Sequence, residues 1–126
     1  MNAAPRPGLM EDVFGPVIYS YTRKQALEDG VLVDVSAMAR EAGIKFPTAI
    51  TTAVHALCTP PKGSHEDYKG RLWDCLWMLR MAIRRSEGDT IRYSVKIGRR
   101  IERLWAKCGP GDDMEPTITI LVTGED

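Results

Sequence analysis

The sequence has no excess of charge of either sign, because 17 lysines and arginines balance 17 aspartates and glutamates. A field of the whole molecule that would attract nucleic acid or an acidic membrane is therefore excluded, and only a local patch could bind such a partner. Long apolar runs are missing as well, so we expect neither a membrane-spanning segment nor an export signal. These absences predict a cytoplasmic protein without a membrane partner.

Cysteine is scarce: the chain has three, Cys58, Cys75 and Cys108. So few cysteines, and an odd number of them, exclude a disulfide framework. The sequence also lacks a Gly-x-Ser-x-Gly elbow, a phosphate-binding loop and a glycine-rich nucleotide fingerprint. His55 and Cys58 form one close pair of zinc-ligand types, but no second tight pair follows. We predict no metal and no cofactor, and the sequence leaves the question of an enzyme open.

The composition that remains is that of an ordinary globular domain, with 44% hydrophobic and 27% charged residues. A length of 126 residues suits one domain. Residues 1–15 combine prolines and glycines with few periodic apolar positions, and such a segment cannot offset the entropy lost on ordering. We therefore predict a flexible arm over 1–15 and a single domain over 16–126.

The spacing of apolar residues predicts the main elements. Leucines recur at helical spacing across Tyr68–Arg85, which predicts a long helix. Strict alternation predicts strands over Thr90–Ile97 and Glu115–Val122. Local signals add shorter elements: a strand over Val17–Tyr21, a helix capped by Thr22 and ended by Gly30, an extended segment over Val31–Val35, a helix capped by Ser36 and a helix that begins at Pro47.

The segment Ile101–Cys108 fits two structures, since its apolar residues suit either a helix face or a strand face. The turn-forming sequence GPGDDME follows it, and a strand comes directly afterwards. A hairpin that pairs Glu102–Cys108 with Thr117–Val122 is therefore the simpler interpretation. The complete pattern predicts an α+β domain in which helices pack on one face of a small, mainly antiparallel sheet.

Three blocks of the chain carry a resemblance to a known family: VIYSYTRKQALEDGVLVDVS, GRLWDCLWMLRMAIRRS and CGPGDDMEPTITI. Together they resemble an uncharacterised family of small single-domain proteins from bacteria, phages, plasmids and other mobile elements. The resemblance extends over about Val13–Asp126. It implies an accessory role on mobile DNA and supports a strand before GPGD. It brings no activity, cofactor or catalytic residue.

The long helix has a second stripe beside its leucines, formed by Trp73, Trp77, Arg80 and Arg84. Tryptophan and arginine are enriched at the centres of protein interfaces and also stack on bases. The alternative is that the indoles widen the core face while the arginines extend to solvent. As an interaction site, the stripe favours a protein partner over nucleic acid, and self-association stays open.

A helix-turn-helix is suggested by MAREAGIKFPTAITTAV, with Gly43 in the turn and the second helix after Pro47. The second helix has no lysine or arginine, although phosphate contacts normally dominate affinity for DNA. A DNA-binding regulator would therefore need a basic face around Lys45 or the arginines of Arg99–Arg103. Two helices packed as a simple corner are the alternative.

Two further clusters contain charged residues. Arg23 and Asp34 bracket a strand-helix-strand unit and could line a pocket of a small enzyme beside the sheet, with a structural salt bridge as the alternative. Asp112, Asp113 and Glu115 could hold a divalent cation, but their spacing matches no calcium loop and we predict solvated turn residues. The leading hypothesis is a non-enzymatic binding module, ahead of a DNA-binding regulator and a small enzyme.

Overall fold

The structure, a computed structural model, describes residues 22–125. They form an α+β domain around a five-stranded sheet of order β1-β2-β5-β4-β3, which confirms the predicted class. The predicted arm over 1–15 and the predicted strand over Val17–Tyr21 lie outside the described residues. The elements in chain order are α1 (Arg23–Glu28), β1 (Leu32–Asp34), α2 (Ser36–Glu41), β2 (Thr48–Thr51), α3 (Thr52–Cys58), α4 (Tyr68–Ile83), β3 (Thr90–Ile97), β4 (Arg100–Pro110) and β5 (Pro116–Val122).

The sheet is antiparallel except at its centre, where β2 and β5 run parallel. Two hairpins supply most of it, because β4 pairs with β3 on one side and with β5 on the other. Cys108 lies opposite Ile118 in the second hairpin. The ambiguous segment Ile101–Cys108 is therefore a strand, as the turn sequence after it indicated.

The prediction of a helix that begins at Pro47 is wrong for the first half of that segment. Thr48–Thr51 is a strand between β1 and β5, and the helix begins only at Thr52. Thr48, Ala49 and Ile50 are all buried, so this strand has no polar face to reveal it. The helix-turn-helix hypothesis is wrong for the same reason, because a sheet strand separates α2 from α3.

The helix α2 forms where it was predicted, but Ser36 does not cap it. Ser36 is its first residue, and its hydroxyl donates to the Asp34 carboxylate at 2.6 Å and accepts from the backbone N–H of Thr48 at 2.9 Å. The hydroxyl therefore links the start of α2 to β2. Gly43 follows the helix with φ +96°, a conformation that favours glycine at this stop.

The core lies between one face of the sheet and the helices α2, α3 and α4. The helix α4 is confirmed over Tyr68–Ile83, and its leucine stripe is buried against β3. The largest fully buried apolar side chains come from both layers: Ile50, Val54, Leu76, Leu79, Leu104, Ile118 and Ile120. The helix α1 is the exception to one-sided packing, since it lies on the opposite face. Among residues 22–125, no helix has the length and apolar character needed to cross a bilayer.

Candidate binding surface

Much of the second face of the sheet is left uncovered by the described helices. Side chains alternate along β3, where Ile91, Val95 and Ile97 are buried in the core and the residues between them are exposed. Of the described helices, α1 lies on this second face, over β1 and β5. We call the uncovered part beside it the open face, formed by Thr90, Arg92, Ser94 and Lys96 of β3 and by Ile101, Arg103, Trp105 and Lys107 of β4.

The cations of the open face form a regular ladder. The register pairs Thr90 with Lys107, Arg92 with Trp105, Ser94 with Arg103 and Lys96 with Ile101. Each of these four rows therefore contains one cation, and all four cations are exposed. Rows on one face of a strand pair are about 6.7 Å apart, so the ladder is about 20 Å long.

Trp105 lies within this ladder and is held in place by the fold. Its indole N–H donates to the backbone carbonyl of Val122 at 3.0 Å. The Arg92 guanidinium lies 5.1 Å from the ring centroid, and the Lys107 ammonium lies 4.9 Å from it. Cations over an indole are attracted by its ring electrons. The ring and its two cations thus form one positively charged cluster.

Two depressions adjoin this cluster on either side. The first, of about 690 Å³, is lined by Arg92, Ser94, Arg103, Trp105 and the C-terminal residues Thr123–Glu125. The second, of about 630 Å³, begins at Lys107 and runs to α1. Both volumes fall within the range of small-molecule sites, about 300–1,000 Å³. Both depressions therefore border the ladder.

Carboxylates line both depressions. Glu125 lines the first depression together with Arg92 and Arg103, and its carboxylate accepts from the Thr51 hydroxyl at 2.7 Å and the Val122 backbone N–H at 2.8 Å. Asp89 and Asp112 line the second depression. Along the described strands β3, β4 and β5, the side of the sheet that carries the open face has no acidic residue. The carboxylates near the ladder therefore come from other segments, and the Glu125 carboxylate is already hydrogen-bonded to β2 and β5.

The structure brings Arg23 and Asp34 into one groove of about 350 Å³, together with Asp112 and Glu115 of the acidic turn. The Arg23 guanidinium donates to the Thr119 hydroxyl at 2.7 Å and to a backbone carbonyl at 2.9 Å. Burial lowers the pKa of the Arg23 guanidinium, while three nearby carboxylates oppose this shift. Asp34 accepts from Ser36. The Arg23 guanidinium and the Asp34 carboxylate are therefore both hydrogen-bonded within the protein.

The expectation that the acidic turn is merely solvated is wrong for Asp112. Its two carboxylate oxygens accept the backbone N–H groups of Arg23 and Lys24, each at 2.9 Å. The first N–H groups of a helix have no partner within the helix, so the carboxylate satisfies two of them. In the turn itself, the Glu115 carboxylate accepts the backbone N–H of Asp113 at 2.9 Å. Asp112 thus ties the β4–β5 hairpin to α1.

The tryptophan and arginine stripe of α4 is divided between core and surface. Trp73 packs against the core, while Trp77 is 40% exposed and stacks on Trp73 with a centroid distance of 6.0 Å. The Arg80 guanidinium lies 5.3 Å from the Trp77 ring centroid, and Arg84 is exposed. The stripe stays a predicted interaction site for a protein partner.

The cysteine and histidine residues form separate pairs. The Cys58 and Cys75 sulfur atoms are 3.9 Å apart and buried between α3 and α4, and the hydrogen bond with Cys58 together with burial raises the pKa of the Cys75 thiol. His55 Nδ1 lies 2.7 Å from the Tyr68 hydroxyl oxygen. Within residues 22–125 there is no group of three or more histidine, cysteine or acidic residues able to hold a metal ion.

Sequence reasoning did not single out the open face, although it identified the residues Arg92, Ser94 and Lys96 as the polar side of β3. The missing step was the register of the β3–β4 hairpin, which brings Trp105 and Lys107 beside them. Cations four positions apart in each strand were the available signal. No family model, curated protein or solved structure matches the chain.

Proposed function

We propose that this protein is a non-enzymatic binding module whose open face binds a linear polyanion. One observation carries the proposal: four exposed cations occupy four consecutive rows of a face to which β3, β4 and β5 contribute no carboxylate. A ladder about 20 Å long with regular spacing fits a ligand whose negative charges repeat along a line. A single anionic group would use only one or two rows.

Local attraction is required because the chain as a whole has no net charge. Four of the 17 cations lie on the open face, to which β3 and β4 contribute no carboxylate, so the attraction acts at short range even though long-range attraction is weak. Within the described residues, Arg92, Lys96 and Arg103 make no ion pair that a ligand would have to break. The resemblance to proteins of mobile elements is consistent with an accessory module that acts by binding.

The groove around Arg23 and Asp34 supports the enzyme hypothesis less well. A catalytic group must be able to reach a substrate in its reactive state. Here the Arg23 side chain is bonded to β5, Asp34 is bonded to Ser36, and Asp112 holds the start of α1. These contacts explain the charged residues as structural, whereas the side chains of Arg92, Lys96 and Arg103 make no hydrogen bond or ion pair within residues 22–125.

Binding of the full chain to labelled linear polyanions at 50 mM salt tests the proposal. We expect a heparin fragment or a twelve-residue thymidine oligonucleotide to bind, with an affinity that falls as salt is added. The variant Arg92→Glu/Arg103→Glu should lose at least tenfold in affinity, because two rows of the ladder then repel the ligand.

A matched control separates the ladder from net charge. Lys62→Glu/Lys69→Glu changes the charge of the chain by the same amount at two exposed positions, in the loop before α4 and in its first turn. It should retain binding within about threefold. Absence of binding to either polyanion, or equal losses in the two variants, would overturn the proposal.

A further inference from the structure

We infer that the linear polyanion is a single strand of nucleic acid, with a base stacked at Trp105 and its phosphates along the cation ladder. The inference rests on the proposed function and adds the chemical class of the ligand. It is carried by the non-ionic part of the open face, which a purely electrostatic site would not require. That part consists of Trp105, Ile101 and the two depressions.

The rows of the open face combine charge with apolar surface. In two of the four rows the residue opposite the cation is apolar: Trp105 stands opposite Arg92, and Ile101, which is 63% exposed, stands opposite Lys96. The repeating units of a sulfated polysaccharide or of an acidic peptide have charges but no planar aromatic ring in each unit. A nucleotide has both, because each unit combines a planar base with a phosphate.

The surroundings of the Trp105 indole suit a nucleic-acid base. Its N–H bond to Val122 fixes the ring, and the Arg92 guanidinium already lies over it at 5.1 Å from the centroid. Bases stack on indoles and on arginine guanidinium planes alike. The adjoining depression of about 690 Å³ is lined by Trp105, both Arg92 and Arg103, and the hydroxyl-bearing Ser94. A base can therefore enter beside the ring while its phosphates meet the arginines.

The arrangement of the cations suits a single strand better than a duplex. The cations of the ladder lie on two adjacent strands, which are about 4.8 Å apart, so they follow one line. A DNA duplex presents two phosphate rows across grooves about 6 or 12 Å wide, and its bases are stacked inside. One narrow line of cations with a stacking platform suits one backbone whose bases are free.

The test compares four labelled twelve-unit ligands with the unmodified full chain: oligothymidylate, the RNA of uridine, an abasic phosphodiester of the same charge, and a duplex. We expect both single strands to bind at least tenfold more tightly than the abasic chain, because the abasic chain lacks the stacking group. The ratio between oligothymidylate and the RNA distinguishes DNA from RNA as the preferred source of the strand. The duplex should bind no better than the abasic chain.

A variant tests the same contact from the protein side. Trp105→Leu should weaken oligothymidylate binding by about 5- to 150-fold, the range for loss of one base–aromatic stack, and leave the abasic chain unaffected. The thermal melting curve of the variant shows whether it is folded. Phe46→Leu is the matched control, because Phe46 is an aromatic residue that is 47% exposed outside the open face, and it should leave oligothymidylate binding unchanged within about threefold.

The outcomes separate the two proposals. If the abasic chain and heparin bind as tightly as oligothymidylate, the binding module stands and the nucleic-acid inference is wrong. If the duplex binds most tightly, the single-strand inference is wrong as well. If none of the ligands binds at 50 mM salt, the proposed function itself is wrong.

Discussion

The carboxylate of Asp112 accepts the backbone N–H of Arg23 at 2.9 Å, although 89 positions separate the two residues in the sequence. Thr22 caps the same helix from its own side, through a reciprocal pair of bonds with Gln25. The start of α1 is therefore satisfied partly by its local sequence and partly by a distant hairpin. A helix of six residues depends on such partners, since isolated helices of that length are not stable in water.

Asp112→Ala should lower the free energy of unfolding by about 1–2 kcal/mol, the usual effect of removing a cap at a helix start. Asp113→Ala is the control in the same turn, because only the backbone N–H of Asp113 bonds there, and its effect should stay under about 0.5 kcal/mol. Urea melts of the two variants measure the difference. Equal stability of the two would show that the Asp112 bonds contribute nothing.

Leu76→Ala should lower the free energy of unfolding by about 2–5 kcal/mol, since Leu76 is fully buried on the core side of α4 and its truncation leaves a cavity. Met78 lies on the same helix but is 38% exposed, so Met78→Ala should cost less than about 1 kcal/mol. Chemical denaturation of both variants provides the measurement. A loss below about 1 kcal/mol for Leu76→Ala would contradict the position of the core.

The amides of β4 and β5 should exchange with solvent slowly and as one unit. Each of these strands has a hydrogen-bonded neighbour on both sides, whereas β1 is a three-residue strand at an edge. Hydrogen exchange followed by mass spectrometry or NMR should therefore show protection of Glu102–Cys108 together with Thr117–Val122, and faster exchange in Leu32–Asp34. Independent exchange of the two central strands would contradict the pairing.

Stability should fall in alkaline solution because of Tyr93. Its hydroxyl donates to the Cys75 carbonyl, and burial raises its pKa well above the ordinary value. Above about pH 10 the unfolded chain releases this proton while the folded protein keeps it. The unfolded state then binds fewer protons, so the free energy of unfolding decreases as pH rises.

The variant Tyr93→Phe removes that titration. Between pH 9 and 11 its free energy of unfolding should decline less steeply than that of the unmodified protein. At pH 7 the variant should lose about 1 kcal/mol through the missing hydrogen bond. Parallel curves over the alkaline range would show that Tyr93 titrates normally in the folded protein.

Local patterns were sufficient for the elements that have one polar and one apolar side. The helix α4 and the strand β3 are of this kind, and both form at the predicted positions. The strand β2 has no polar side, because Thr48–Ile50 are all buried. In addition, Ile50 falls at helical spacing from Val54, which favoured a helix in the prediction. The parallel pairing of β2 with β5 depends on contacts that local spacing does not contain.

The candidate site was harder to predict than the fold for a similar reason. The open face depends on the register of two strands, and a shift by one residue would move Trp105 to the core side. Asp112 in the acidic turn depends on contact with α1, which lies at the other end of the described chain. The α4 stripe, in contrast, could be predicted from the sequence because its residues recur at helical spacing on a single helix.

The hydrogen bonds between Asp112 and α1 also affect when α1 becomes stable during folding. During synthesis the residues of α1 leave the ribosome before their hairpin partner, which lies 89 positions later in the sequence. Contacts between distant residues form slowly, because closing the intervening chain costs entropy. We therefore expect α1 to acquire stable structure only after the β4–β5 hairpin has been made, and newly made chains to remain open to proteolysis at α1 until then.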